Sequence, residues 1–106
     1  MMSSSRVGTP AYNDPVCFKD TQYIYGKKSD IFSLGVILWE ISSGKAPCGG
    51  RESHSIIKYR LDGFRDPPVS GTPEEYVKLY SECWDEDSNN RPACEHVYER
   101  LINLVK

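Results

Sequence analysis

The chain has 106 residues, with 13 basic and 15 acidic side chains, a formal net charge of −2 and a hydrophobic fraction of 39%. That is one domain's worth of chain, able to bury roughly two-thirds of the surface its unfolded form exposes. The balanced charge excludes a dedicated nucleic-acid binder, which carries a basic excess; the longest apolar run, residues 34–39, is far short of the ~18 residues that span a bilayer.

Residues 1–6 lack the apolar core of a signal peptide, so a cytoplasmic location is the expectation. The four cysteines, at 17, 48, 83 and 94, form no C-x-x-C pair, and His54 and His96 add nothing at ligand spacing. Reduced, partly buried thiols are therefore expected rather than a metal site.

The first ~28 residues read as loop, because Pro10, Asn13, Asp14, Pro15 and Gly26 break any regular pattern. Ser29 then offers a helix N-cap, with Asp30 as an acid in the first turn. Ile31, Phe32, Leu34, Val36, Ile37, Leu38, Trp39 and Ile41 follow, and Gly44 stands where a helix stops. The β-branched residues permit a strand over 34–41, but the caps and length favour a helix. Being apolar on nearly every side, it should be buried all round.

A Gly/Pro loop over 45–51 leads to a short helix over 52–61, with Ile56, Ile57 and Leu61 as its inner face and Asp62-Gly63 as its stop. Residues 64–71 are loop. Thr72-Pro73-Glu74-Glu75 is a helix start, with Thr72 as cap, Pro73 in the first turn and Glu75 completing a capping box. Tyr76, Tyr80, Cys83 and Trp84 then form one apolar stripe. An acidic loop over 85–90 precedes Arg91-Pro92, which opens the last helix, where Cys94, Val97, Tyr98, Leu101, Leu104 and Val105 make another stripe. The expectation is a mainly α fold: a long N-terminal loop, then four helices around one apolar central helix.

In order, four segments resemble the protein-kinase family. Gly8-Thr9-Pro10-Ala11-Tyr12-Asn13-Asp14-Pro15 resembles G-T-x-x-Y-x-A-P-E, and Lys28-Ser29-Asp30-Ile31-Phe32-Ser33-Leu34-Gly35-Val36 resembles the S-D-V-W-S-F-G-V segment. Trp39 to Pro47 resembles W-E-L-x-T-G-x-x-P, and Cys83-Trp84 followed by Arg91-Pro92 resembles the C-W…R-P pair near the domain's end. The resemblance covers residues 8 to 105. Gly8-Thr9 has the serine/threonine form and Cys83-Trp84…Arg91-Pro92 the tyrosine form, a mixture typical of the tyrosine-kinase-like group.

The resemblance implies the helical C-lobe portion of a kinase domain, one partial domain over residues 1–106. Residues 8–12 would receive the substrate peptide, with Gly8, Thr9, Pro10 and Tyr12 in contact with it, and Thr9 would bond the catalytic aspartate. Structural roles fall to Pro15, Asp30, Gly35, Trp84 and Arg91. Asp30 would anchor the catalytic loop, although a helix-start acid suffices to explain it. Gly35 would let another backbone approach, since a mid-helix glycine otherwise costs ~1 kcal/mol. The helix over 52–61 would be a docking surface.

Kinase catalysis also needs a Gly-rich phosphate cover, a strand lysine, an H-R-D loop and a D-F-G metal aspartate. None stands in this sequence; Asp62-Gly63-Phe64 has the D-F-G composition in the wrong order. ATP and magnesium belong to the full family domain, and the chain begins after the point where they would bind. No catalytic, cofactor or metal residue is therefore assigned, and the chain alone is expected not to transfer phosphate. The family's glutamate after Pro15 normally pairs with the arginine at Arg91, but Val16 stands there. Arg91 must be wetter or find another acid, with Asp14 or residues 85–87 as candidates. Ser3, Ser4 and Ser5 fall where kinases keep their activation segment, yet a plain terminus is the favoured reading.

Two functional readings stand. One is half of a kinase domain, whose partners are a protein substrate and the missing N-terminal half. The other is a non-catalytic protein-binding module. The central apolar helix should leave an exposed patch, with poor solubility or a partly molten state as its consequence.

Overall fold

The computed structural model describes residues 10–20, 22–23 and 26–105. Five α-helices lie among the described residues: α1 (Val16–Lys19), α2 (Lys27–Ser43), α3 (Ser53–Leu61), α4 (Glu74–Cys83) and α5 (Cys94–Val105). Short 3-10 turns lie at Pro10–Tyr12, Pro47–Gly50 and Ser88–Asn90, and no strand occurs among the described residues. The helical architecture, strand-free among the described residues, is the one expected from the resemblance.

The N-terminal stretch is thus less irregular than its Pro and Asn content predicts. Pro15 opens the single turn α1, and its carbonyl accepts the Phe18 amide at 3.0 Å. A proline at a helix start has no N–H to leave unsatisfied.

Helix α2 is the central post. It begins two residues before the expected Ser29 cap, with Gly26 as N-cap. Ser29, at the third helical position, accepts the Gly26 amide on its hydroxyl at 3.3 Å. It therefore supplies the returning half of a capping box rather than the cap itself. Gly44 ends the helix at φ 67°, in the left-handed region glycine tolerates.

Ile31, Phe32, Val36, Leu38 and Trp39 of α2 pack with Leu79, Tyr80, Cys83 and Trp84 of the α4 end and Val97 of α5 into one core. Gly35 is where α2 and α4 touch. A Cβ there would lie 2.8 Å from the Cys83 Cβ and 3.0 Å from the Tyr80 carbonyl oxygen. The helix is not buried all round, however. Ile37 is 43% and Ile41 69% exposed, because no described element covers that side. The exposed apolar patch foreseen for α2 is present.

Thr72 does not cap α4. Its hydroxyl donates to the Val69 carbonyl at 2.7 Å within a turn, and Pro73 takes the cap position. The hydroxyl is spent on the turn before the helix begins. In α5 the apolar stripe is only partly used: Val97 is buried and Leu101 packs on the core, while Cys94, Tyr98 and Val105 face solvent. The helix starts at Cys94, three residues beyond Arg91, and leans on α4 by one edge, where Arg100 pairs with Glu82 at 2.6 Å.

No two of the four cysteines are bridged; Cys48 and Cys83 are buried, Cys17 is half-buried and Cys94 exposed. Burial pushes the Cys83 thiol up to about 12, so it stays protonated and unreactive at neutral pH.

Tyr80 is 1% exposed, packs edge-on against Trp84 at 5.0 Å, and its hydroxyl has no hydrogen-bond partner among the described residues. A buried unpaired hydroxyl costs more than it returns. Tyr80→Phe is therefore expected to raise stability by about 1 kcal/mol, read as a higher denaturant midpoint at unchanged slope. A lowered midpoint would show that the hydroxyl has a partner.

Candidate functional site

The residues expected to receive peptide, 8–12, lie in a motif that runs on to Pro15. Gly8 and Thr9 lie outside the described residues, as do Ser3, Ser4 and Ser5. Over the described part, successive residues are held by different elements. The Ala11 carbonyl accepts Arg60 of α3 through Nη2 at 2.8 Å and Nε at 3.2 Å. The Tyr12 carbonyl accepts the Ser33 hydroxyl of α2 at 2.6 Å, and the Tyr12 hydroxyl donates to Glu40 at 2.5 Å. Burial and the Glu40 carboxylate push the Tyr12 phenol up to about 12, so it remains a donor at neutral pH.

Asp14 is the third anchor. Its carboxylate meets Arg91 in a fork, Nη1 to Oδ2 at 2.7 Å and Nη2 to Oδ1 at 3.0 Å, and both side chains are fully buried. The Val16 amide donates to Oδ1 at 3.1 Å and the Tyr23 hydroxyl to Oδ2 at 2.9 Å. Burial pushes the Asp14 carboxyl up, but the Arg91 bonds and charge, with the amide and hydroxyl, outweigh it and hold the group below the ordinary carboxylate range. Arg91 also donates to the Asp85 carbonyl at 2.9 Å and the Lys28 carbonyl at 2.9 Å. The question raised by Val16 is answered: Arg91 is dry, and Asp14 takes the place of the missing glutamate.

Below the segment, three guanidinium groups surround the Phe32 ring. The central carbons of Arg65, Arg91 and Arg60 lie 5.1, 5.2 and 5.7 Å from its centroid. Arg91 has Asp14, and Arg60 has Asp66 at 3.8 Å. Asp66 in turn accepts the Cys48 amide on both oxygens, at 3.0 and 3.2 Å. That bifurcated hydrogen bond holds Cys48 at φ 59°, a left-handed conformation costly for a side chain with a Cβ. Arg65 donates to the carbonyls of Trp84 and Phe64, both at 2.9 Å, and burial with the neighbouring Arg60 pulls it down to about 10.

Of the remaining expected residues, Pro15 is buried at the start of α1 and Trp84 is 5% exposed at the end of α4. Gly35 sits at the α2–α4 contact, while Asp30 lies in the first turn of α2 facing solvent. Arg91 bonds directly to Asp14 of that motif. The sequence reading missed Arg60, Asp66, Ser33 and Glu40. Arg60 follows Ile56 by four residues and so shares its helix face, which was the available clue.

The sequence matches the family of protein tyrosine and serine/threonine kinases over residues 4–101. Mixed lineage kinase domain-like protein of Homo sapiens is 32% identical over 104 residues, covering 97% of this chain and 22% of that protein.

 A protein of Acanthamoeba polyphaga mimivirus described as a serine/threonine-protein kinase/receptor is also 32% identical, over 102 residues, 96% of this chain and 6% of that one. "Probable serine/threonine-protein kinase drkA" of Dictyostelium discoideum is 32% identical over 98 residues, 92% of this chain and 15% of its own length. The chain thus spans less than a quarter of the length of these relatives. With the family match over most of its length and a helical architecture to go with it, the chain belongs to the protein tyrosine and serine/threonine kinase family, of whose domain it forms a helical C-lobe portion.

Proposed function

We propose that this chain is a protein-binding platform of a kinase domain, presenting residues 8–15 to a substrate or partner peptide without catalysing phosphoryl transfer itself. The observation that carries this reading is the clamping of Ala11, Tyr12 and Asp14 by three separate elements. A segment so held offers a fixed edge to an incoming peptide, and positioning is most of what a kinase supplies. Gly8, Thr9, Pro10 and Tyr12 are the residues assigned to peptide contact. In a domain with an H-R-D loop, Thr9 would bond its aspartate.

The residues present do not fit ATP and magnesium. Asp14 is committed to Arg91, and Asp66 to Arg60 and the Cys48 amide. Asp62, of the reversed Asp62-Gly63-Phe64, pairs with Lys58 at 3.0 Å on the outside of α3. The partner is a protein rather than a nucleic acid, given the net charge of −2, and the setting is cytoplasmic. No helix among the described residues is long and apolar enough to cross a membrane.

Incubation of the chain with labelled ATP, magnesium and a generic basic protein tests the non-catalytic part. The expected result is labelling at background; magnesium-dependent labelling above background that survives repurification would overturn it.

A further inference from the structure

Helix α3 stands apart from the main core. It packs chiefly against the Pro10–Tyr12 turn and α1. Its Ile56 joins Ala11 and Cys48, with Tyr12 at the edge, in a second apolar cluster separate from the one around α2. Arg60, on the same face and fully buried, places three donors on backbone carbonyls: Nε and Nη2 on Ala11, and Nη1 on Phe64 at 3.2 Å. Asp66 lies 3.8 Å from Nη2 as its ion-pair partner and fixes Cys48 at the same time. One planar cation therefore joins α3, the segment after it and the receiving segment.

We propose that Arg60 is a positioning residue, which makes α3 and the receiving segment one body so that α3 sets the path of residues 10–12. This deepens the reading of residues 8–15 as peptide-receiving and rests on it. The assignment follows from geometry. The guanidinium's fork spans the Ala11 carbonyl as a single ammonium cannot. A displacement of α3 is thus carried to the Ala11 carbonyl through Arg60.

Amide hydrogen exchange on the full chain tests this. The Asn13 amide, bonded to the Pro10 carbonyl at 3.1 Å, reports the turn, and the Trp84 and Val97 amides, each bonded at 3.1 Å, report the core. Arg60→Lys is expected to speed exchange at Asn13 at least tenfold while Trp84 and Val97 keep their rates. Arg65→Lys is the control, because Arg65 lies over the same Phe32 ring without touching Ala11; it should leave Asn13 unchanged. Should Arg60→Lys fail to fold, Asp66→Asn loosens the same guanidinium and is expected to give the same selective loss. Unchanged exchange at Asn13, or equal acceleration at all three amides, would overturn the proposal. Exchange reads the backbone with no peptide present, so its failure is distinct from failure of the peptide-receiving reading, which a peptide titration of the unaltered chain tests.

Discussion

Replacing Asp14 with alanine is expected to lower stability by about 3–5 kcal/mol, because it strands a buried cation. For a chain of this size that is a fall of at least about 10 °C in melting midpoint. The guanidinium of Arg91 would lose both arms of its fork to the carboxylate. It would keep only the carbonyls of Asp85 and Lys28. Asp14→Asn should cost less, since an amide oxygen still accepts from Arg91.

The pair also predicts an acid dependence. The folded-state carboxyl of Asp14 lies below its unfolded value of about 3.9, so the stabilisation is fully present above that pH. It is lost as pH falls from there through the folded value. Asp14→Asn removes this titration, so its midpoint should fall less steeply with acid than that of the parent chain. Equal slopes would mean that Asp14 is not charged against Arg91.

Gly35→Ala carries the second large effect, and its sign is the informative part. In an exposed helix alanine is better than glycine by about 1 kcal/mol. Here the new Cβ would meet the Cys83 Cβ at 2.8 Å, the Tyr80 carbonyl oxygen at 3.0 Å and the Trp84 amide nitrogen at 3.2 Å. Two of those atoms are backbone, and the third persists in any residue but glycine at position 83. The helices must separate, and overpacking of this kind costs about 1–3 kcal/mol. Gly35→Ala is therefore expected to lower the denaturant midpoint, and Cys83→Ala in the same chain should not rescue it. A raised midpoint would place the α2–α4 contact elsewhere.

These two sites were the most legible in the sequence, for one reason: each was a local rule broken. A glycine inside an apolar helix asks for a close neighbour, and the neighbour is α4. A valine at position 16 asks where Arg91 finds its acid, and Asp14 was among the candidates. The apolar run of α2 and the stop at Gly44 were readable from pattern in the same way. Periodicity alone did less well. It marks the stripe of α5 but not whether anything covers it, so Tyr98, at 66% exposed, was placed inside. Thr72 matched a capping pattern, yet its hydroxyl found the Val69 carbonyl first.

Arg60 was not legible as a buried group. Its partners Ala11 and Asp66 are joined to it only by the tertiary fold, and an arginine on a short helix ordinarily faces water. The receiving segment shows the same limit. Its motif named the residues, but the three anchors come from α2, α3 and the loop before α5, which no local pattern connects.

A double-mutant cycle across Asp14 and Arg91 tests the central claim most directly, namely that this pair fastens the receiving segment to the helical body. Stability is measured by denaturant unfolding for the parent chain, Asp14→Ala, Arg91→Ala and the double variant. The predicted result is strong non-additivity, with the double variant no less stable than the worse single one and a coupling of at least about 2 kcal/mol. Losses that simply add would contradict the account.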